Sequence, residues 1–272
     1  IYELNNGNGK VKEYYKNQLR FEGEYLNGKI NYGIVYNIYN NKKELEIEKG
    51  INLGKEYFDN GRIKFEGEYV NGKRNGKGKE YHYKDKLKYE GEYLNGERNG
   101  KGKEYDVNGE IIFEGEYLKG KRWNGKGKEY ENNGEIIFEG EYLNGKRWNG
   151  KGKENENEFI LFKFEGEYIN GKRNGRVKEF HDRKNIKFDG EYKNGWRNGK
   201  GIEYNDKGEI IFEGEYLNGY RWNGKVKEFN KYNNFEFEGE YVNGEKIGKG
   251  KEYGYDGKLK FEGEYLNGEK NG

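Results

Sequence analysis

The sequence of 272 residues contains no cysteine, proline, methionine, serine, threonine or alanine. It therefore has no disulfide, no thiol or aliphatic hydroxyl nucleophile, and no serine or threonine for phosphorylation. Its two histidines, His82 and His181, lie far apart in the sequence, and we predict that both sit in exposed turns without a bound metal. These absences exclude several enzyme classes, and we expect a chain that needs no cofactor.

Long apolar runs are also missing, because no stretch reaches the length of a membrane span or of a signal-peptide core. We therefore expect a soluble, cytoplasmic chain. Its 52 basic and 50 acidic residues nearly balance, which argues against a nucleic-acid partner. A composition with 38% charged residues is typical of disorder, but 27 Tyr and 15 Phe offer large surfaces for burial.

Those aromatic residues are arranged in a repeat. A pentapeptide of an aromatic residue, an acidic residue, Gly, Glu and Tyr occurs ten times, at steps of 24 to 26 residues from the second copy onward. A degenerate eleventh copy, which matches the pentapeptide only in part, begins at Ile47 and is followed by a shortened unit. The ten clear copies begin at Phe21, Phe65, Tyr89, Phe113, Phe138, Phe164, Phe188, Phe212, Phe237 and Phe261. Such a period predicts one continuous array over residues 1–272, and we expect it to be a segment of a longer repeat protein.

Within one unit the pattern alternates as in a half-buried strand. Ile111, Phe113, Gly115 and Tyr117 share one face, and the acidic residues between them share the other. After a loop, the run 126–130 predicts a second strand whose glycines leave room for the rings, while outward Lys126 and Lys128 face Glu114 and Glu116. Turns rich in Asn, Asp and Gly join the units. We predict an all-β fold, an elongated single-layer antiparallel β-meander of stacked hairpins, whose aromatic face forms a groove.

The run from Phe113 to Gly127 resembles the MORN repeat, whose usual form is Tyr-x-Gly-x-Trp/Tyr-x-x-Gly-x-x-His/Asn-Gly-x-Gly. The linker Gly257-Lys258-Leu259 is similar to that of the variant MORN type, and the chain departs from the family pattern in its inserted tryptophans. The resemblance implies a solenoid-like rod that acts as a scaffold or adaptor. In some relatives such rods bind partner helices or peptides, form dimers, or sit at membranes.

Two sets of residues are candidate sites. The first is the aromatic face, which would bind a helix or peptide of a partner protein; the alternative is that the rings only pack on neighbouring units and glycines. This groove set is Phe65, Tyr69, Tyr89, Tyr93, Phe113, Tyr117, Phe138, Tyr142, Phe164 and Tyr168.

The second set is a row of basic residues and tryptophans in the hairpin loops, a pattern that an anionic lipid surface would engage. The alternative is a row of solvated turns in which Arg and Trp stack on each other. The lipid set is Arg74, Arg98, Arg122, Trp123, Arg147, Trp148, Arg173, Trp196, Arg197, Arg221 and Trp222.

The sequence therefore predicts a scaffold without catalytic residues that binds a protein partner along its aromatic groove. A regular, solvated ladder of Glu and Lys offers no site in which two carboxylates would acquire different pKa values for glycoside chemistry. Two alternatives stay open: peripheral membrane association through the loop edge, and assembly into a dimer, homo-oligomer or fibre through unpaired strand edges.

Overall fold

The computed structural model describes residues 5–155, 162–182, 185–229 and 235–271. In these ranges every regular element is a strand, and no helix is present. The strands are β1 (Gly9–Tyr15), β2 (Gln18–Leu26), β3 (Lys29–Tyr36), β4 (Lys43–Ile47), β5 (Leu53–Tyr57), β6 (Ile63–Val70), β7 (Lys73–Tyr81), β8 (Leu87–Leu94), β9 (Glu97–Tyr105), β10 (Ile111–Leu118), β11 (Lys121–Tyr130), β12 (Ile136–Leu143), β13 (Lys146–Asn155), β14 (Phe162–Ile169), β15 (Lys172–Phe180), β16 (Ile186–Lys193), β17 (Trp196–Tyr204), β18 (Ile210–Leu217), β19 (Tyr220–Phe229), β20 (Phe235–Val242), β21 (Glu245–Tyr253), β22 (Leu259–Leu266) and β23 (Glu269–Asn271).

The chain divides into two compact units. The first comprises Ile1–Lys128 and Glu141–Lys146, and the second comprises Glu129–Gly140 and Arg147–Gly272. In the first unit each strand from β1 to β11 pairs antiparallel with the next one. In the second unit the same holds from β13 to β23. The predicted all-β antiparallel meander of hairpins is confirmed.

Most hairpins turn at an Asn-Gly pair with positive φ, as at Asn95 (53°) and Gly96 (95°). Two consecutive residues in the left-handed region form the type I′ turn that suits the twist of paired strands. The N–H of Gly96 donates to the carbonyl oxygen of Arg74 in the preceding hairpin at 2.8 Å. In the second unit Gly219 donates in the same way to Arg197 at 2.8 Å. Each of these turns is therefore attached to the hairpin before it.

The core lies on the aromatic face, where rings rest on bare glycine backbone. The side chain of Phe113 is 0% exposed, and a Cβ atom on Gly127 would lie only 2.7 Å from its Cδ2 atom. A Cβ atom on Gly115 would lie 2.2 Å from the carbonyl oxygen of Asn124. The predicted packing of aromatic rings over glycine is confirmed, and the close approach of two backbones makes it possible.

The opposite face carries the charged residues. Glu114 on β10 lies opposite Lys126 on β11 and Lys103 on β9. The Nζ atom of Lys103 is 3.1 Å from Oε1 of Glu114. The predicted cross-strand pairs of opposite charge are confirmed for this residue.

One predicted pair is wrong, because Glu116 lies opposite Asn124 and Lys101 rather than Lys128. The physical reason is the antiparallel pairing of a hairpin: each step along β10 toward the turn is a step back along β11. The partner of Glu116 therefore lies nearer to the turn than Lys126 does, and Lys128 lies farther from it.

Ile111, two positions before the Phe113 ring, was predicted on the buried face, but it and several equivalent aliphatic residues are exposed. Ile111 is 46% exposed, and the register with β9 shifts between Ile111 and Phe113. Ile136, Ile210 and Leu259 are likewise 39%, 45% and 52% exposed. An irregularity in the pairing breaks the simple two-residue period at the start of these strands.

The degenerate copy forms a short hairpin, β4 with β5, in which Ile47 is 3% exposed. Leu45 pairs with Glu56, as Phe65 does on the other side of β5, and Ile47 pairs with Gly54, as Gly67 does. Leu45 therefore holds the position of the aromatic ring and Ile47 that of the pentapeptide glycine, so this copy begins two residues earlier than predicted. A single continuous array over the whole chain stays a prediction.

We predict that Gly115→Ala lowers the free energy of unfolding by about 1–3 kcal/mol, the usual cost of forcing atoms into a packed site. The new Cβ atom would lie 2.2 Å from the Asn124 oxygen and 2.6 Å from the Gly125 Cα atom, and backbone atoms cannot rotate away. Urea denaturation followed by circular dichroism measures the change. Val107→Ala is the control, because that turn residue is 65% exposed and its truncation creates no close contact. Equal stability of wild type and Gly115→Ala would contradict the described packing.

Candidate functional site

The ten rings of the predicted groove set are buried, with exposures between 0 and 8%. Around Phe65, the rings of Tyr69 and Tyr93 pack edge-on with centroid distances of 5.7 and 5.1 Å. The guanidinium carbon of Arg74 lies 4.1 Å from the Phe65 centroid. Each ring of this kind is thus covered by its own chain, which agrees with the alternative that the rings pack on neighbouring units. A partner role for these ten rings stays a prediction, and their burial gives it no support.

A network of Arg, Glu and Tyr side chains lies over the rings. The hydroxyl of Tyr93 donates to Oε1 of Glu80 at 2.6 Å, and Arg98 reaches the same carboxylate through Nη2 at 2.8 Å and Nε at 3.2 Å. Arg74 adds a contact from Nη1 at 3.2 Å. Since Glu80 belongs to one hairpin while Tyr93 and Arg98 belong to the next, the network joins adjacent hairpins.

The same arrangement recurs in the second unit. Arg197 contacts Glu179 of the preceding hairpin through Nη2 at 2.9 Å, and Glu203 of its own hairpin through Nη1 at 3.2 Å. The hydroxyl of Tyr192 also donates to Glu179. Two later hairpins use Lys in place of Arg, with Lys246 at 3.0 Å from Glu228 and Lys270 at 2.7 Å from Glu252. All of these hairpins therefore have a positively charged side chain at this position.

The network changes the ionisation of its members. Burial acts to raise the pKa of the Glu80 carboxyl, but the hydrogen bonds from Arg98 and Tyr93 and the charge of both arginines outweigh it, so the pKa lies below 4.5. Burial and the hydrogen bond to Glu80 raise the pKa of the Tyr93 hydroxyl. Glu80 is therefore an anion at neutral pH, and Tyr93 is a neutral donor.

The arginines of the predicted lipid set all belong to this network. Their side chains are 14 to 34% exposed, and each guanidinium contacts a glutamate of the hairpin before it. The tryptophans divide into two groups. Trp123, Trp148 and Trp222 are half-buried against the turn glycines of the following hairpins, whereas Trp196 is 63% exposed. Lipid binding by this set stays a prediction, but its cationic groups are already paired within the chain.

A signal for the network was present in the sequence. In the strand Gly76-Lys77-Gly78-Lys79-Glu80, alternation puts Glu80 on the same face as Gly78, which lies under the Phe65 ring. A glutamate on a buried face requires a partner, and an arginine stands 18 residues later, as with Glu80 and Arg98. The sequence analysis placed the arginines in hairpin loops, either facing a lipid surface or solvated, and therefore missed the pair.

The open concave surface lies on the other face of the sheet. In the first unit a groove of about 800 Å³ runs across β5 to β10. Its floor is a row of six glycines, one per strand: Gly54, Gly67, Gly78, Gly91, Gly102 and Gly115. Its walls are the alternating Glu and Lys residues on either side, such as Glu90 and Lys101. None of the ten rings of the groove set lines it. The groove was predicted on the aromatic face, where ring stacking fills the space instead.

A row of exposed aliphatic residues lies next to the hairpin turns, one residue on the strand that enters each turn. We name this row the aliphatic rim. Each member directly follows the tyrosine of the pentapeptide, where strand alternation directs it to the charged face. Exposures range from 39% for Leu118 to 52% for Leu266. Its members are Leu26, Val70, Leu94 and Leu118 in the first unit, and Ile169, Leu217, Val242 and Leu266 in the second.

The two histidines make contacts with the backbone of the following hairpin. The Nε2 atom of His82 lies 3.2 Å from the Tyr105 carbonyl oxygen, and that of His181 lies 2.9 Å from the Tyr204 carbonyl oxygen. Within the described ranges, no group of three or more His, Cys, Asp or Glu side chains could hold a metal ion. A search of the same residues for helices long and apolar enough to cross a membrane found none.

Comparison with known families agrees with the geometry. The sequence profile of the MORN repeat matches the chain at five places, residues 65–84, 89–111, 164–176, 188–209 and 237–258. No curated protein matches the chain. The five matches include hairpins of both units, and the predicted family resemblance is confirmed.

We predict that Glu80→Gln lowers the free energy of unfolding by about 1.5–3 kcal/mol, the usual worth of hydrogen bonds to a charged group. The substitution leaves Arg98 and Arg74 beside a neutral amide at a site where the Glu80 side chain is only 16% exposed. Glu114→Gln is the matched control, because its side chain is 59% exposed and its pair with Lys103 is worth less than about 1 kcal/mol. Urea denaturation of both variants decides the point, and equal losses would contradict the network.

Acid should destabilise the protein through the same carboxylates. For Glu56, Glu80, Glu104, Glu179 and Glu203, burial acts to raise the pKa, but the Arg and Tyr partners outweigh it and hold the pKa below 4.5. The stabilisation is therefore complete above pH 4.5 and is lost as pH falls through the lowered values. We expect the urea midpoint to fall on acidification below pH 4.5, and to fall less in Glu80→Gln. Identical acid profiles would show that Glu80 does not contribute.

Proposed function

Since the chain carries MORN repeats, we propose that it is a non-catalytic scaffold that binds a protein partner along the aliphatic rim and the adjoining groove. The observation that supports this proposal is the repetition of one exposed aliphatic side chain beside the turns, without interruption from Val70 to Leu118; in the second unit Lys193 takes this place between Ile169 and Leu217. Surface apolar residues scattered singly are normal, but a regular row bordered by charged residues favours an interaction site.

The spacing of the rim suits an extended contact. Successive hairpins are two strand spacings apart, about 9.4–9.8 Å, so the rim presents apolar side chains at a regular interval. Across the turn, Leu94 pairs with Glu97 and Leu118 pairs with Lys121. Apolar anchors flanked by charges of both signs favour a protein partner over a uniformly anionic surface.

The rim replaces the aromatic face as the proposed contact. The rings are covered by Arg, Tyr and the adjoining hairpins, so removing them would unfold the core before it reported on binding. Rim residues are exposed by 39 to 52%, and polar substitution there should leave the hairpin intact.

We predict that the pair Leu94→Asn and Leu118→Asn lowers the recovery of bound partner proteins at least fivefold in affinity capture from the source cells. The control pair is Val107→Asn and Ile111→Asn, at the opposite end of the hairpins of the same unit, with exposures of 65% and 46%. Quantitative mass spectrometry of the captured proteins compares the two pairs with wild type, and circular dichroism checks that both remain folded.

Equal recovery by the rim pair and wild type would contradict the proposed contact. Sedimentation with anionic vesicles at several salt concentrations is run in parallel. Vesicle binding that the rim pair abolishes, with no captured protein affected, would replace the protein partner by a membrane.

A further inference from the structure

In the second unit Lys193 stands where the rim residues Leu94 and Leu118 stand in the first. The two units also differ beside the rim, at the first residue after the hairpin turn. This position holds Lys29, Lys73, Glu97, Lys121 and Lys146 in the first unit. In the second unit it holds, in order along the sheet, Lys172, Trp196, Tyr220, Glu245 and Glu269. Two aromatic residues thus stand at consecutive hairpins where the first unit has only charged ones.

Both aromatic side chains are exposed to solvent. Trp196 is 63% exposed and Tyr220 is 76% exposed. The Trp196 ring lies against the next turn, since a Cβ atom on Gly219 would be 3.2 Å from its Cε3 atom. Leu217, which pairs with Tyr220 across the turn, is 40% exposed and extends the apolar patch. Exposed Trp and Tyr side chains held against a rigid strand are typical anchors of a protein interface.

We propose that this patch binds a proline-rich segment of a partner protein in the polyproline II conformation. The proposal rests on the scaffold function proposed above and names the kind of partner. Polyproline II has three residues per turn and a rise of about 3.1 Å, so equivalent side chains recur every 9.3 Å or so. Successive hairpin positions recur at about 9.4–9.8 Å. Each third residue of such a segment therefore meets the same position of the next hairpin.

A second reason for a proline-rich ligand is the aromatic character of this surface. Grooves lined by aromatic residues bind polyproline II segments because the ligand is already extended and loses little entropy. An α-helix has a repeat of 5.4 Å and a strand has a side-chain repeat of about 6.6–6.8 Å on one face, and neither matches the hairpin spacing.

The charged residues at the two ends of the patch set the orientation in which the peptide binds. Lys172 precedes the aromatic pair and Glu245 follows it, and both are exposed. The four positions Lys172, Trp196, Tyr220 and Glu245 span three hairpin steps, about 28–29 Å. Nine residue steps of polyproline II cover about 28 Å. The expected ligand therefore has an acidic residue at the Lys172 end, prolines at the two rings, and a basic residue at the Glu245 end.

The test uses the full chain and a fluorescein-labelled decapeptide with glutamate at its first position, arginine at its last and proline between. Fluorescence polarisation should show saturable binding that Trp196→Ala and Tyr220→Ala each weaken at least tenfold. Tyr255→Ala is the matched control, because Tyr255 is 77% exposed in the turn between β21 and β22 and should leave binding unchanged. Circular dichroism melts confirm that the three variants are folded.

Reversing the charge at Lys172 tests the orientation of the bound peptide. Lys172→Glu should weaken binding of the first peptide at least threefold and favour a peptide with arginine at both ends. Absence of saturable binding, or equal binding by wild type and both ring variants, would overturn the proposal. Binding of anionic vesicles that depends on Trp196 and that the peptide does not compete with would also overturn it.

The experiment separates this proposal from the scaffold function. If the peptide fails while the substitutions at Leu94 and Leu118 still remove captured proteins, only the proline-rich ligand is wrong. If the peptide binds at Trp196 and Tyr220 while the first-unit rim variants retain every captured protein, the general role of the rim is wrong.

Discussion

Everything in this structure depends on a cation and a tyrosine hydroxyl of one hairpin that meet the carboxylate of the hairpin before it. A two-stranded hairpin alone is at best marginally stable in water. Here Glu80 accepts hydrogen bonds from Tyr93 and Arg98, while the guanidinium of Arg98 covers the Tyr89 ring at 4.1 Å. The contact therefore ties adjacent hairpins together and shields their rings from water. Its repetition in both units explains why charged residues can be as frequent as 38% in a folded chain.

The two faces of the sheet have different roles, because the core lies on one of them and the charged residues lie on the other. Because glycines allow the two backbones to approach closely, the rings are buried within a single sheet without a second layer over them. The opposite face is left with a glycine floor, walls of Glu and Lys, and the aliphatic rim. The surface that the core does not use therefore lies on the charged side, and this is where we propose that a partner binds.

Much of the fold could be predicted from the sequence, since a period of 24 to 26 residues and two-residue alternation are local properties of the chain. Phe113 and Gly127 were correctly placed together for that reason. The candidate site could not be predicted in the same way. Whether Arg98 is solvated or buried depends on a glutamate in another hairpin, and the open groove on the charged face depends on how several hairpins pack side by side. The exposed rings at Trp196 and Tyr220 become significant only when the equivalent positions of other hairpins are aligned by their pairing.

A double-mutant cycle on Glu179 and Arg197 tests the central claim most directly. Glu179→Gln, Arg197→Gln and the double variant are compared with wild type by the free energy of unfolding in urea. If the pair joins adjacent hairpins as described, the coupling energy between the two positions should be about 1.5 kcal/mol or more, within the range for residues of one network. A coupling energy within about 0.3 kcal/mol of zero would mean that the two side chains act independently, and would contradict the account.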